Sequence, residues 1–246
     1  MKIDIHENRK DVYIDAYFPK GRSASRPAAE DLLPAVIICP GGGYHIIGTT
    51  EARPVSDKFT DAGYAAFILH YSVGEAAVFD DKGWEGFPPA NDLIAALRLL
   101  HENAAEYMID KTRIILAGFS AGGHLCAGAC YSGLLAKAGL LPRALILSYA
   151  MGGGTDSGGD AEKPQPDFDI ARMPYADDPA VKNLPAFMWH AKDDDRIPFG
   201  ACVRLDKRLS DENMPHTFLA FEHGVHGRPF FDPDWFDQAL GWLAAL

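Results

Sequence analysis

Short apolar runs recur along the chain at intervals that suit the strands of a sheet. Six of them are apolar on both faces, namely residues 35–39, 65–69, 113–118, 144–147, 186–190 and 217–221. Runs of this length are too short for helices, and apolar residues on both faces are typical of strands that are covered on each side in a parallel sheet. A seventh segment, residues 12–18, alternates apolar and polar side chains, which predicts a half-exposed strand.

Amphipathic segments separate these runs. Predicted helices cover residues 55–62, 92–107, 122–138, 202–210 and 235–246. In the second of these, Leu93, Leu97 and Leu100 share one stripe, and Asn91 is a candidate N-cap. Strands that alternate with helices predict an α/β fold, with a doubly wound and mostly parallel sheet of about eight strands and helices on both faces. Functional loops then lie at the carboxyl ends of the strands.

One segment interrupts this alternation. The 246 residues fit a single domain, but residues 151–184 are rich in glycine, aspartate and proline and show no periodic pattern. A loop this long in a compact domain is either functional or mobile. We therefore predict a small lid or pocket wall inserted at about 151–184.

A candidate nucleophile lies at the junction of a predicted strand and a predicted helix. Gly118-Phe119-Ser120-Ala121-Gly122 has the G-x-S-x-G pattern of a nucleophile elbow, a tight turn that exposes the serine hydroxyl. The same turn directs the backbone N–H of Ala121 toward that space. The alternative interpretation is a serine that caps the following helix.

A glycine-rich loop follows the first buried strand, at Pro40-Gly41-Gly42-Gly43-Tyr44. Glycines let a backbone approach a ligand closely, and backbone N–H groups stabilise the oxyanion that forms during acyl transfer. A phosphate-binding loop is disfavoured because neither G-x-x-x-x-G-K-[ST] nor G-x-G-x-x-G is present. A plain tight turn is the remaining alternative.

A serine hydroxyl needs a base to remove its proton. His226 follows the last predicted strand on a loop flanked by glycine, which favours it over the neighbouring His223. His223 lies nearer the strand end, and we expect it to pack or hydrogen-bond there. His190 ends a buried strand and is interpreted as a satisfied core histidine, whereas His45 beside the glycine loop is placed to line a pocket.

The base in turn needs a carboxylate partner. Asp193, Asp194 and Asp195 leave the end of a predicted strand, and one of them is expected to face the histidine. A solvated turn is an alternative, and a calcium loop is disfavoured because the three acids are consecutive. The order serine, acid, histidine is the order used by the α/β-hydrolase fold.

Several segments together resemble a known family. The resemblance is carried by Pro40–Tyr44, Gly118–His124, Asp194–Pro198 and Glu222–Gly227, together with Pro89-Ala90-Asn91-Asp92 before a helix. These segments resemble α/β-hydrolase esterases of the hormone-sensitive-lipase and acetyl-xylan-esterase (BD-FAE) type. The pattern departs from many relatives at Pro40, where they have histidine, and at Tyr149-Ala150, where they often have Tyr-Pro.

The resemblance implies an α/β-hydrolase fold and assigns candidate roles. Asp194, four residues before Pro198, becomes the catalytic acid, with Ser120 as nucleophile and His226, in G-x-H-G, as base. The oxyanion donors that it implies are Gly42, Gly43 and Ala121, and Tyr44 and His45 are predicted to contact the substrate.

The implied activity is that of a serine esterase that needs no cofactor. Its expected substrates are small-molecule or oligosaccharide esters with short acyl chains, including acetylated carbohydrates such as xylan oligosaccharides. Tyr44, Trp84, Phe87 and Tyr131 offer aromatic platforms for a sugar or, alternatively, belong to the core. An arylformamidase-like amidase, a serine peptidase and a non-catalytic protein on the same fold are the alternatives.

Composition narrows the possible partners and locations. A formal net charge of −11 argues against nucleic acid. The four cysteines, which are Cys39, Cys126, Cys130 and Cys202, lie in apolar stretches and predict buried free thiols without a metal. The sequence contains neither an 18-residue apolar stretch nor an apolar N-terminal run, so we expect a cytoplasmic enzyme that does not associate with membranes.

Overall fold

The strands form one sheet, and helices lie between them along the chain. A computed structural model describes the protein over residues 1–20, 32–152, 168–231 and 234–246. Within these residues the sheet has eight strands. The strands are β1 (Lys2–Asp4), β2 (Tyr13–Tyr17), β3 (Leu33–Cys39), β4 (Ala65–His70), β5 (Ile109–Phe119), β6 (Leu145–Ser148), β7 (Ala186–Ala191) and β8 (His216–Phe221).

The strand order is β1-β2-β4-β3-β5-β6-β7-β8. β1 and β2 are antiparallel to their neighbours, whereas the strands from β4 to β8 are parallel. The carboxyl ends of β3, β5, β6, β7 and β8 therefore meet at one edge of the sheet, where this fold class places its ligands. The predicted mostly parallel α/β-hydrolase sheet is confirmed.

Helices cover both faces of the sheet. They are α1 (Arg53–Asp61), α2 (Pro88–Glu102), α3 (Ala121–Tyr131), α4 (Leu134–Lys137), α5 (Pro179–Lys182), α6 (Gly200–Asp211) and α7 (Trp235–Ala244). Alternate side chains of β3 pack on opposite faces of the sheet. Ile37 lies in the hydrophobic cluster that includes residues of α2, α3 and α6, whereas Val36 and Ile38 lie in the cluster that includes residues of α1 and α7. This division is the physical reason why β3 is apolar at every position.

The boundaries of two predicted helices were wrong. α2 begins at Pro88, four residues before the predicted start, with Phe87 as N-cap. Proline is favoured in the first turn of a helix because its φ is already helical, and Asn91 instead donates from Nδ2 to the carbonyl of Glu85. The predicted helix over 122–138 is divided after Tyr131, since Gly133 adopts φ 80°.

β1 was not predicted from the sequence. Two of its three residues are exposed, so the strand has no apolar pattern to reveal it. The half-exposed strand is confirmed, because Ile14 and Ala16 are buried while Tyr13, Asp15 and Tyr17 are only partly covered.

The predicted insertion is described only in part, because residues 153–167 lie outside the described residues. Its second half packs onto the body of the protein, with Ile170, Met173, Val181 and Leu184 all buried. The backbone N–H of Ala176 donates to the carbonyl of Tyr131 at the end of α3. This half therefore packs against the end of α3, and the role of the insertion as a lid or pocket wall remains a prediction.

Two further expectations concern the cysteines and membrane association. All four cysteines are buried free thiols, as predicted. None of the helices that the structure describes combines the length and apolarity needed to cross a bilayer.

Candidate active site

Ser120 stands in a sharp turn between β5 and α3. Its backbone adopts φ 51° and ψ −116°, a region that costs of order 1–3 kcal/mol for a residue other than glycine. Two backbone hydrogen bonds hold the turn. The N–H of Ser120 donates to the carbonyl of Ser148, and the carbonyl of Ser120 accepts from the N–H of Met151. Strain that the surroundings maintain in this way is typical of a functional site.

The glycines around Ser120 are required by close packing. A Cβ on Gly122 would lie 1.9 Å from the carbonyl oxygen of Cys39, and one on Gly118 would lie 2.4 Å from that of Gly122. A Cβ on Gly123 would lie 2.8 Å from the Cβ of Ala150. The G-x-S-x-G-G sequence is thus explained by the contacts that form the turn.

His226 contacts Ser120 on one side and Asp194 on the other. Its Nε2 lies 3.0 Å from Oγ of Ser120, and its Nδ1 lies 2.7 Å from Oδ2 of Asp194. Ser120 is 6% exposed, and the side chains of Asp194 and His226 are 2% and 13% exposed. The loops after β5, β7 and β8 thus bring together the three side chains that the sequence singled out.

Four donors surround the Asp194 carboxylate. Oδ1 accepts from the backbone N–H groups of Arg196 and Ile197, each at 2.9 Å, and Oδ2 contacts His190 as well as His226. Burial alone would raise the pKa of Asp194, but the hydrogen bonds from His190, His226 and the backbone hold that pKa well below its usual range. Asp194 therefore stays ionised and keeps an acceptor facing His226.

The neighbouring acids and the rival histidine lie outside this arrangement. His223 Nδ1 contacts Oδ2 of Asp193 at 2.8 Å, and the His223 side chain is 82% exposed. The second oxygen of Asp193 accepts from the N–H of Gly224, and Asp195 is exposed. The expectation that His223 hydrogen-bonds near the strand end is confirmed.

The glycine-rich loop lies directly against Ser120. A Cβ on Gly41 would lie 2.8 Å from the Cβ of Ser120. Gly42 adopts φ 124°, and its carbonyl accepts from the N–H groups of His45 and Ile46. Ala121 is the first residue of α3, where backbone N–H groups have no partner within the helix. The sequence prediction that Gly42, Gly43 and Ala121 donate to an oxyanion is compatible with this placement and stays a prediction.

Glu51 is a part of the site that the sequence analysis missed. It is 3% exposed, and its carboxylate accepts from the N–H of Gly41 at 2.6 Å and from the hydroxyl of Tyr149 at 2.8 Å. Burial raises the pKa of Glu51, while these hydrogen bonds and the attraction of His226 oppose the rise. A glutamate just before a predicted helix usually lies at the exposed helix N-terminus, so no sequence signal marks it.

The two residues predicted to contact the substrate differ in their placement. Tyr44 is buried, its hydroxyl contacts Nδ1 of His124 at 2.8 Å, and its ring packs edge-on against Phe87. Its side chain is thus a core element. His45 is exposed beside Gly43, and its substrate contact stays a prediction.

The aromatic residues considered as sugar platforms belong to the core. Trp84, Phe87 and Tyr131 are at most 6% exposed. Phe168 from the insertion packs against Trp84 and His124. The core alternative therefore holds for these residues, because the ring of Trp84 packs edge-on against Phe87 and the ring of Tyr131 stacks on Tyr175.

The side chains of the described ranges contain no cluster of three or more histidines, cysteines, aspartates or glutamates placed to bind a metal ion. The side chains that meet at Ser120 form the hydrogen-bonded chain Ser120–His226–Asp194. This chain can activate a hydroxyl for attack on a carbonyl carbon.

Known proteins resemble this chain over most of its length. A family model described as BD-FAE matches residues 15–139, and one described as alpha/beta hydrolase fold matches residues 87–220. Among solved structures, MGS-M1, an alpha/beta hydrolase enzyme from a Medee basin deep-sea metagenome library, is 28% identical with a TM-score of 0.76, and the match covers 100% of this chain and 96% of that one.

This chain is similar to parts of two longer curated proteins. Endo-1,4-beta-xylanase B of Butyrivibrio fibrisolvens is 24% identical over 226 residues, which are 84% of this chain and 34% of the relative. The acetylxylan esterase of Xylanibacter ruminicola is 30% identical over 94 residues, which are 37% of this chain and 18% of the relative. The chain thus matches about a third or less of the length of these proteins.

Proposed function

Because the chain belongs to the alpha/beta hydrolase fold family, with a BD-FAE match over residues 15–139, we propose that it is a serine carboxylic-ester hydrolase. The observation that carries the proposal is the hydrogen-bonded chain from Ser120 through His226 to Asp194 beside a glycine loop. The three groups lie in the order and at the distances that nucleophile, base and acid require.

In the proposed reaction Ser120 Oγ attacks the ester carbonyl while His226 Nε2 accepts the hydroxyl proton. Asp194 holds the imidazole and stabilises the imidazolium. The N–H groups of Gly42, Gly43 and Ala121 stabilise the tetrahedral oxyanion. Collapse of the intermediate transfers the proton from His226 to the leaving alcohol and gives an acyl-enzyme, and a water deprotonated by His226 then releases the acid.

The proposed substrates are short-chain acyl esters, in particular acetyl groups on carbohydrates such as xylan oligosaccharides. The matched acetylxylan esterase supports this substrate class.

The proposal is tested with the full chain on p-nitrophenyl acetate, butyrate and octanoate and on acetylated xylo-oligosaccharides. We expect the fastest turnover on acetyl esters and covalent labelling of Ser120 by a fluorophosphonate probe. Release of formate from an aryl formamide at a rate above that of any ester would instead favour the amidase alternative.

Two histidine variants assign the base. His226→Ala is expected to lower kcat at least about 10³-fold. His223→Ala is the matched control, because this side chain is exposed and pairs with Asp193, and we expect it to retain kcat within about threefold. Equal losses in the two variants, or a wild-type protein that neither turns over esters nor reacts with the probe, would contradict the proposal.

A further inference from the structure

A buried carboxylate lies behind the glycine loop. Glu51 precedes α1, and its Oε2 accepts from the N–H of Gly41, whereas its Oε1 accepts from the Tyr149 hydroxyl. Cβ atoms on Gly41 and Gly48 would lie 2.7 and 2.8 Å from Oε2. The carboxylate therefore occupies a space that exists only because both residues are glycine.

The glycine loop folds back on itself at this carboxylate. The N–H of Gly48 donates to the carbonyl of Gly41 at 2.8 Å, so Gly41 is fixed through both its carbonyl and its N–H. Since the Gly41 N–H is directed to Glu51, the amides left to face an anion at Ser120 are those of the following residues, Gly42 and Gly43. Glu51 thus engages the Gly41 amide, which leaves Gly42 and Gly43 as the predicted donors of this loop.

The same corner of the chain is connected to the histidine loop. Tyr149, at the end of β6, packs its ring against His226 with centroids 4.8 Å apart, and its hydroxyl is held by Glu51. The neighbouring Thr50 donates from Oγ1 to the carbonyl of Gly227, directly after His226. Residues 50 and 51 therefore contact both loops that flank Ser120.

Resting on the proposed esterase function, we propose that Glu51 is a positioning residue that fixes the glycine loop and His226 relative to each other. Its carboxylate touches neither the substrate nor the reacting atoms. It acts through Gly41, which leads into the predicted oxyanion donors, and through Tyr149, which packs on the base.

The charge and the geometry of Glu51 can be separated by substitution. Glutamine at position 51 retains one acceptor for the Gly41 N–H, and its amide can donate to the Tyr149 hydroxyl, which then accepts. Glu51→Gln therefore retains both links without the charge, whereas Glu51→Ala removes both links. Tyr149 directly after β6, Tyr71 directly after β4 and His226 in the loop after β8 are titratable groups that interact with Glu51. Asp194 and Ser120 in turn contact His226.

The experiment compares kcat and KM of the full chain on p-nitrophenyl acetate for wild type, Glu51→Ala and Glu51→Gln. A poorly formed oxyanion pocket lowers kcat and leaves KM almost unchanged, and we expect Glu51→Ala to lose about 100-fold in kcat. Glu51→Gln is expected to stay within about tenfold of wild type.

Asp92→Ala provides the control for a buried carboxylate lost elsewhere. Asp92 is 3% exposed, its Oδ2 accepts from the N–H and hydroxyl of Ser72, and its Oδ1 contacts Nε2 of His6. We expect this variant to lower the melting temperature while its kcat stays within about threefold of wild type.

Several results would overturn the proposal. One is a folded Glu51→Ala with wild-type kcat, and another is a kcat loss in Asp92→Ala that matches the loss in Glu51→Ala at equal melting temperature. If Glu51→Ala does not fold, Tyr149→Phe decides, since it keeps the ring on His226 and removes one link. A loss of about tenfold in kcat supports the proposal and an unchanged kcat overturns it. An inactive wild type refutes the esterase function itself, and this inference with it.

Discussion

His190 Nε2 lies 3.1 Å from Oδ2 of Asp194, the same oxygen that faces His226. The sequence pattern predicts a satisfied core histidine at this position. It is in the core, with no exposed surface, but its Nδ1 has no hydrogen-bond partner among the residues that the structure describes. The contact with Asp194 assigns the proton to Nε2, so His190 is a donor to the carboxylate.

Replacing His190 with leucine should weaken both the fold and the activity. A buried acceptor that loses a donor costs about 1–3 kcal/mol, and we expect unfolding in urea at pH 7 to show a loss of this size. With Asp194 less firmly held, kcat on p-nitrophenyl acetate is expected to fall about tenfold. His190→Gln, which retains a donor, is the control and should lose less of each, and equal losses in both variants would show that packing is the cause.

His124 makes the stability of the fold depend on pH. It is fully buried between the Tyr44 hydroxyl and the carbonyl of Phe168, and burial lowers its pKa from 6.5 to about 4, although the bond to Phe168 opposes the change. Because the folded pKa lies below the unfolded one, the stabilisation is complete above about pH 6.5. It is lost as the pH falls toward 4, and it amounts to roughly 3 kcal/mol.

Urea unfolding between pH 7 and pH 4 measures this loss. His124→Gln removes the titrating group, and the fall in unfolding free energy over the same range should become smaller by roughly 3 kcal/mol. Other acidic groups act on both proteins alike, so the difference between them isolates His124. Parallel curves for the two proteins would contradict the prediction.

Two helical glycines should respond in opposite directions to alanine. A Cβ on Gly128 in α3 would lie 1.8 Å from the ring of the buried Trp84, whereas one on Gly241 in α7 would meet no atom within 4 Å. We expect Gly128→Ala to destabilise the protein by about 1–3 kcal/mol or more. Gly241→Ala should stabilise it by about 1 kcal/mol through helix propensity. Thermal unfolding measures both, and a stable Gly128→Ala would show that the Trp84 ring can move.

The parts of the site that were predictable are encoded locally. The turn at Ser120 requires glycines within a few residues of it, and the glycine loop follows directly on β3, so both leave a continuous sequence pattern. The inner strands of the parallel sheet were predictable because they are apolar on both faces, whereas β8, at the edge of the sheet, is only partly buried. The choice of Asp194 among three consecutive acids needed the family resemblance, because their spacing alone is ambiguous.

The parts that were missed depend on contacts between distant residues. Glu51 is buried because it meets Tyr149, 98 residues later in the chain. Tyr44 belongs to the core because its hydroxyl reaches His124, 80 residues away. A periodic pattern contains no information about such pairs. The sequence alone therefore does not distinguish a side chain that packs in the core from one that faces the substrate.

Glu51 should also lower the stability of the fold at neutral pH. Burial raises its pKa above the ordinary value of 4.5, against the opposing bonds from Tyr149 and Gly41. A group with a raised folded pKa contributes its stability below the unfolded pKa and loses it as the pH rises through the folded value. Glu51→Gln does not titrate and retains both links, so its unfolding free energy should increase relative to wild type between pH 4.5 and pH 8, as measured in urea. If the two curves remain parallel over this range, the hydrogen bonds to Glu51 and the attraction of His226 fully offset the burial of the carboxylate. The prediction that Glu51 lowers the stability of the fold is then wrong.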